Sequence, residues 1–164
     1  MEFIDGENLS EAIKRIATST DPLTIQTVLS TVVRVGELFA KVHSYNVTLG
    51  DTKPDNVLIK QDGTLFLIDF EQATKEGDKA WDVAVFLYYS GHYLEPFYSN
   101  SKAESVAKAF IEGYLKGGGN VFNVSKAGAP KYTRVFSIFT IPPAIRTISD
   151  ICKKTELKEE KVHG

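Results

Sequence analysis

Apolar positions recur along the chain with two different periods, and the change of period marks out its elements. Leu9, Ala12, Ile13 and Ile16 fall three and four apart, which predicts a helix over 9–16 capped by Asn8 or Ser10. Asp21-Pro22 opens a second helix, with proline in its first turn. Its stripe is Ile25, Val28, Leu29, Val32, Val35, Leu38, Phe39 and Val42, and it ends near His43-Ser44-Tyr45-Asn46. That spacing describes a long amphipathic helix with one face on the core. The pattern then shortens. Val57-Leu58-Ile59 and Leu65-Phe66-Leu67-Ile68 flank a turn at Gln61-Asp62-Gly63, which predicts a β-hairpin. Trp81 to Tyr89 is apolar on nearly every side, as a fully buried helix is.

Beyond that helix the punctuation is clear. A helix is expected over 101–116 from Ala103, Val106, Ala107, Phe110, Ile111, Tyr114 and Leu115, with Gly117 stopping it. Asn120 to Pro130 is expected as loop. Lys131 to Ile148 has helical spacing that Pro142-Pro143 should break or kink. Lys153 to Gly164 is charged and expected to fray. The fold class is mainly α with a small β-hairpin.

Composition narrows the function classes. With 164 residues, 43% of them hydrophobic and a net charge of −2, the chain has apolar content for one core and no general nucleic-acid footprint. Cys152 is alone, so an internal disulfide is excluded. The acidic start has no apolar secretory segment, and no apolar run approaches transmembrane length. The expectation is a cytoplasmic domain without a membrane partner. No G-x-G-x-x-G occurs, and Gly117-Gly118-Gly119 lacks a preceding strand, so it fits a helix stop better than a phosphate loop.

The candidate chemistry lies in Thr48-Leu49-Gly50-Asp51-Thr52-Lys53-Pro54-Asp55-Asn56 together with Asp69-Phe70. Asp51 and Asn56 have the D-x-x-x-x-N spacing of a kinase catalytic loop, and Asp69-Phe70 stands where D-F-G would. The hairpin between them would bring Asn56 and Asp69 to one end, as a shared cation requires. On these residues the chain resembles the eukaryotic-like kinase superfamily, specifically within 43–90. The resemblance implies a protein-kinase-like C-terminal lobe over 7–152, an inter-lobe hinge at 1–6 and a flexible tail at 153–164. It implies ATP with Mg²⁺ or Mn²⁺. Asp51 would orient the acceptor's hydroxyl proton, and Lys53 would reach the transferred phosphate. Asn56 and Asp69 would hold the metal. Backbone groups of Glu2 and Ile4 would bond the adenine edge, with Met1 at the back of the pocket and Leu58 and Ile68 as its floor. Asp82 would support the loop backbone. His43, at a helix end, fits a structural polar residue.

Several departures keep the subclass open. Leu49-Gly50 stands where protein kinases carry His-Arg, and Glu71 replaces the glycine of D-F-G. Between Asp69 and Asp82 there is no room for a long activation segment. Lys53-Pro54 favours an atypical serine/threonine protein kinase of RIO or tRNA-modification-associated type. The short interval and Asp-Phe-Glu favour a small-molecule phosphotransferase of aminoglycoside or choline kinase type. A non-catalytic nucleotide-binding or scaffolding module is the third alternative. Expected partners are ATP, a protein or small-molecule phosphoacceptor, and a missing N-terminal lobe or a partner protein in its place. The chain alone is expected to fold, to have little activity, and to expose an apolar face around Leu58 and Ile68.

Overall fold

The computed structural model describes residues 5–94 and 100–163, with side chains as far as Glu156. The expected hinge residues Met1, Glu2 and Ile4 lie outside the described residues. Strand β1 (Glu7–Asn8) runs into helix α1 (Leu9–Thr18), whose Leu9, Ala12, Ile13 and Ile16 are buried as their spacing requires. Helix α2 (Pro22–Ser44) begins where Asp21 accepts the Leu23 and Thr24 N–H groups, and proline takes the first position. Strand β2 (Val47–Thr48), a 3₁₀ turn (Pro54–Asn56) and strands β3 (Val57–Ile59), β4 (Leu65–Leu67) and β5 (Thr74–Lys75) follow. Helices α3 (Lys79–Tyr93), α4 (Asn100–Lys116), α5 (Val121–Ala127), α6 (Pro130–Phe136) and α7 (Pro142–His163) complete the chain.

Among the described residues the architecture is mostly helical with two small sheets, which is compatible with a kinase C-terminal-lobe-like fold. One sheet has the order β1-β3-β4, all antiparallel, and the other pairs β2 with β5. The apolar helix α3 lies at the centre and packs against α1, α4, α5, α6 and α7. Its Ala80 and Val83 to Tyr88 are buried all round. Phe86 stacks on Phe110 of α4 with centroids 4.3 Å apart, and Phe39 of α2 meets both rings edge-on. Helices α2 and α4 approach closely because each gives up a side chain at the crossing. A Cβ on Gly113 would sit 1.8 Å from the Val33 carbonyl oxygen, and one on Gly36 would sit 2.3 Å from that of Phe110.

Three expectations are corrected. Residues 121–127 are helix and not loop, because the Asn120 side chain accepts the Phe122 N–H and Val124 and Ala127 find the core. Residues 153–163 continue α7, since they hold neither glycine nor proline and are mostly good helix formers. By length and composition α2 is apolar enough to cross a bilayer, against the expectation that no segment approaches this. Here it is a core helix whose buried stripe lies on α4. The break at Pro142-Pro143 holds, with α6 ending at Phe136 and α7 starting afresh at Pro142.

Candidate active site

The loop between β2 and β3 is held from below by the first turn of α3. Asp82 is fully buried and its carboxylate takes Leu49 N–H at 2.7 Å and Gly50 N–H at 2.8 Å. Thr52 Oγ1 donates to the Asp82 carbonyl at 2.7 Å, and Trp81 Nε1–H donates to the Gly50 carbonyl at 2.9 Å. A buried carboxylate is costly unless its lone pairs are filled, and the Leu49 and Gly50 N–H groups fill one on each oxygen. Asp82 thus supports the loop, as expected. His43 Nε2 lies 3.0 Å from Asp82 Oδ2, so this helix-end histidine is a buried part of the same support.

Glycine at position 50 has a local cause. Its φ is +80°, and a Cβ there would lie 2.8 Å from the Gln72 carbonyl oxygen. An arginine would therefore be strained and would collide with the segment after Phe70. The left-handed residue after β4 is Asp69 itself, at φ +61°, and not Glu71. Aspartate tolerates that region better than most side chains, so no glycine is required two residues later.

The support leaves Asp51, Lys53, Asn56 and Asp69 around one small, narrow cleft, with Phe39, Leu49, Thr52, Val57, Leu67 and Ile68 as its other lining. Lys53 Nζ is 2.8 Å from Asp51 Oδ2, and this hydrogen bond, against some burial, raises the lysine above its ordinary range. Asn56 Nδ2 donates to the Asp51 carbonyl at 2.9 Å, which fixes the amide orientation and gives the other edge to its oxygen. The Ile68 N–H donates to the Asn56 carbonyl at 3.0 Å, so the end of β4 is pinned beside Asn56. Asp69 follows directly and is solvent-exposed. Of the sequence-named groups that lie among the described residues, Asp51, Lys53, Asn56, Ile68 and Asp69 line this cleft and Leu58 does not. Leu58 pairs across β3–β4 with Phe66 and is half-buried along with Ile68. Phe70 beside them is 54% exposed. The apolar wall of the cleft comes instead from Val57, Leu67 and Ile68.

Asp55 is a neighbour of the cleft residues whose ties sequence reasoning missed. Ser10 Oγ donates to Asp55 Oδ1 at 3.0 Å and the Tyr93 hydroxyl donates to Oδ2. The 3₁₀ turn carrying Asn56 is thereby tied to α1 and α3. Burial, with the Asp55 bond behind it, pushes the Tyr93 hydroxyl well above the usual tyrosine range. The available signal was an acid placed between Pro54 and Asn56, which turn chemistry alone explained away.

The donor set suits a hard divalent cation in part. Asn56 and Asp69 offer two oxygen donors at one cleft, and no cluster of three His, Cys, Asp or Glu occurs among the described residues. Mg²⁺ commonly takes only one or two protein oxygens and completes its shell with water and phosphate, so the pair fits that ion. No protein-family model matches the chain. A probable serine/threonine-protein kinase PknB of Lactococcus lactis subsp. lactis is 29% identical over 96 residues. The match covers 58% of this chain and 15% of that protein, so the chain spans a small part of its relative. This partial similarity supports a kinase-like relationship and no narrower one.

Proposed function

We propose that the cleft is a phosphotransferase site and that the chain is the C-terminal-lobe part of an ATP-dependent kinase. The supporting observation is the convergence of Asp51, Lys53, Asn56 and Asp69 on one cleft from two separate segments. Phosphoryl transfer asks the protein mainly for position and charge. Asp51, hydrogen-bonded by Lys53, orients and accepts the proton of the attacking hydroxyl. Lys53 swings from Asp51 to a phosphate oxygen, a move of one side chain on a half-exposed stem. Asn56 and Asp69 would hold Mg²⁺ or Mn²⁺, which would neutralise charge on the phosphates. The Val57, Leu67 and Ile68 wall excludes water on the inner side.

The acceptor in the leading reading is a protein serine or threonine, on the strength of Lys53-Pro54 and the kinase relative. A small-molecule acceptor is the second reading. It is favoured by the segment after Asp69, which turns back at once through β5 onto β2 and offers no long platform for a peptide.

The test is a thermal melt with ATP at millimolar concentration, with and without Mg²⁺, on the wild type and on Asp69→Asn. Stabilisation follows RT ln(1 + [L]/Kd). The expected result is a metal-dependent rise in Tm for the wild type that Asp69→Asn abolishes. An identical metal dependence in the two proteins, or none in either, overturns the assignment.

A further inference from the structure

The buried polar chain behind the loop ends on α5, a helix that the phosphotransfer reading does not use. Asn123 Nδ2 donates to the Tyr114 hydroxyl at 3.0 Å. That hydroxyl lies 2.8 Å from His43 Nδ1, and His43 Nε2 lies 3.0 Å from Asp82 Oδ2. Tyr114 and Asp82 are fully buried and His43 nearly so. Water is excluded, so these groups must satisfy one another.

The direction of each bond follows from its two ends. Asp82 accepts from two backbone N–H groups of the loop, and the oxygen that takes the Leu49 N–H is the one facing His43, so His43 Nε2 meets an acceptor and must carry a hydrogen. At the other end Asn123 gives a hydrogen to the tyrosine oxygen. The tyrosine's own hydrogen is then free to turn to His43 Nδ1, which accepts it. Every bond is complete with His43 neutral and protonated on Nε2. Turning the Asn123 amide over reverses the outer half. Its carbonyl would take the hydroxyl hydrogen, the tyrosine oxygen would be left to accept, and His43 would need a hydrogen on both nitrogens.

We propose that Asn123, acting through Tyr114, is a positioning residue for the loop ahead of Asp51. Because its amide gives a hydrogen and does not take one, the Tyr114 hydroxyl stays free to donate to His43, and the neutral Nε2–H form is kept, and with it the contact under which Asp82 holds the Leu49 and Gly50 amides. Asn123 also lines a polar surface concavity with Asn46, Glu76, Lys79 and Lys126, so the rim of that concavity is linked to the loop by an unbroken run of hydrogen bonds. Relevance to phosphoryl transfer rests on the reading of Asp51 given above. The order of the bonds does not.

The experiment is ¹⁵N NMR of the histidine ring nitrogens in the labelled chain at neutral pH, with His43 assigned by the signals lost in His43→Gln. In the wild type Nδ1 should resonate as an unprotonated nitrogen and Nε2 as a protonated one. Asn123→Asp keeps the size of the side chain but replaces the donor by an acceptor. It should move both nitrogens to imidazolium positions and shift the Leu49 and Gly50 amide signals. Asn123→Leu, which adds no acceptor, should leave the ring pattern as in the wild type, a difference that a packing role alone would not produce. A wild-type His43 protonated on Nδ1 overturns the proposal whether or not any variant folds. An unchanged ring pattern in a folded Asn123→Asp overturns the control assigned to Asn123. A correct ring pattern with no metal-dependent nucleotide binding would count against the phosphotransfer reading alone.

Discussion

Asp82 accepts from Leu49, Gly50 and His43 within one fully buried carboxylate, and its removal would leave those donors with nothing in reach. Stranded buried donors cost more than the net value of the bonds they made. Asp82→Ala should therefore lower stability by roughly 2–3 kcal/mol. It should also speed hydrogen exchange at the Leu49 and Gly50 amides beyond what the global loss explains. Denaturant melts with amide exchange would check both, and protection at Gly50 equal to that of the wild type would remove Asp82 from its supporting role. Asp51 is a different case, half-buried with Lys53 as its partner. In an active form of the protein, Asp51→Asn should spare ATP affinity and lower turnover by roughly 10²–10⁴, the scale of proton-orienting groups. Steady-state kinetics would show that split, and unchanged turnover would return Asp51 to an ordinary loop residue. Both acids stand near the same loop, yet Asp82 is fully buried and its loss is read in stability, whereas the half-buried Asp51 is tested by turnover.

At the scale of elements, α2 and α4 are set by two glycines facing opposite ways across one crossing. Gly113→Ala would drive a methyl into the Val33 carbonyl, with backbone on both sides and no flexible side chain to yield. Overpacking of that kind costs about 3 kcal/mol or more. Gly118→Ala is the contrast, since its φ is +88° but nothing lies within 4 Å of the added atom. Strain alone should cost about 1 kcal/mol there. Urea melts of the two variants should differ accordingly, and equal losses would mean that the helices separate to absorb the methyl. Periodicity made α1, α2, α3 and α4 legible, because each has a stripe or an all-round apolar surface that only one period fits. It made the β3–β4 hairpin legible for the same reason. It did not reveal the Gly36–Gly113 crossing, because a glycine in a helical pattern does not say what it approaches. Helix α5 was hidden by its seven residues and its Asn and Gly flanks, which read as turn chemistry until the Asn120 cap is seen in place. Within the site, the kinase-like spacing of Asp51 and Asn56 and the resemblance of Asp69-Phe70 to D-F-G named the three together. Leu58 was placed on the cleft wall by the resemblance, whereas strand alternation gives that wall to Val57 and Leu67. The Ser10–Asp55–Tyr93 tie joins residues far apart in sequence, and nothing local announces such a contact.

On the scale of the whole molecule, Cys152 reports whether the C-terminal helix stays docked. It is fully buried on α7, and the α5 end of the core comes so close that a Cβ on Gly128 would lie 3.0 Å from its own. Burial pushes the thiol up to about 12, from an ordinary value near 9.0. Because the folded value lies above the unfolded one, the thiol's contribution is fully present below pH 9.0 and is lost as the pH rises towards about 12. Only the thiolate reacts with a disulfide reagent, so at pH 8 the native thiol is protected both by its protonation and by its position. Labelling must then pass through an opening of α7. For an opening free energy of about 5 kcal/mol, the low end of domain stabilities, the rate should fall roughly 10³–10⁴-fold below that of an unfolded peptide. Denaturant should restore the rate in step with unfolding measured by circular dichroism. Asp82→Ala and Gly113→Ala should raise it in proportion to their losses if α7 opens only with the whole core. Labelling as fast as in the peptide would mean that α7 leaves α5 in the native state. Labelling that ignores both variants would mean that α7 opens as a unit of its own.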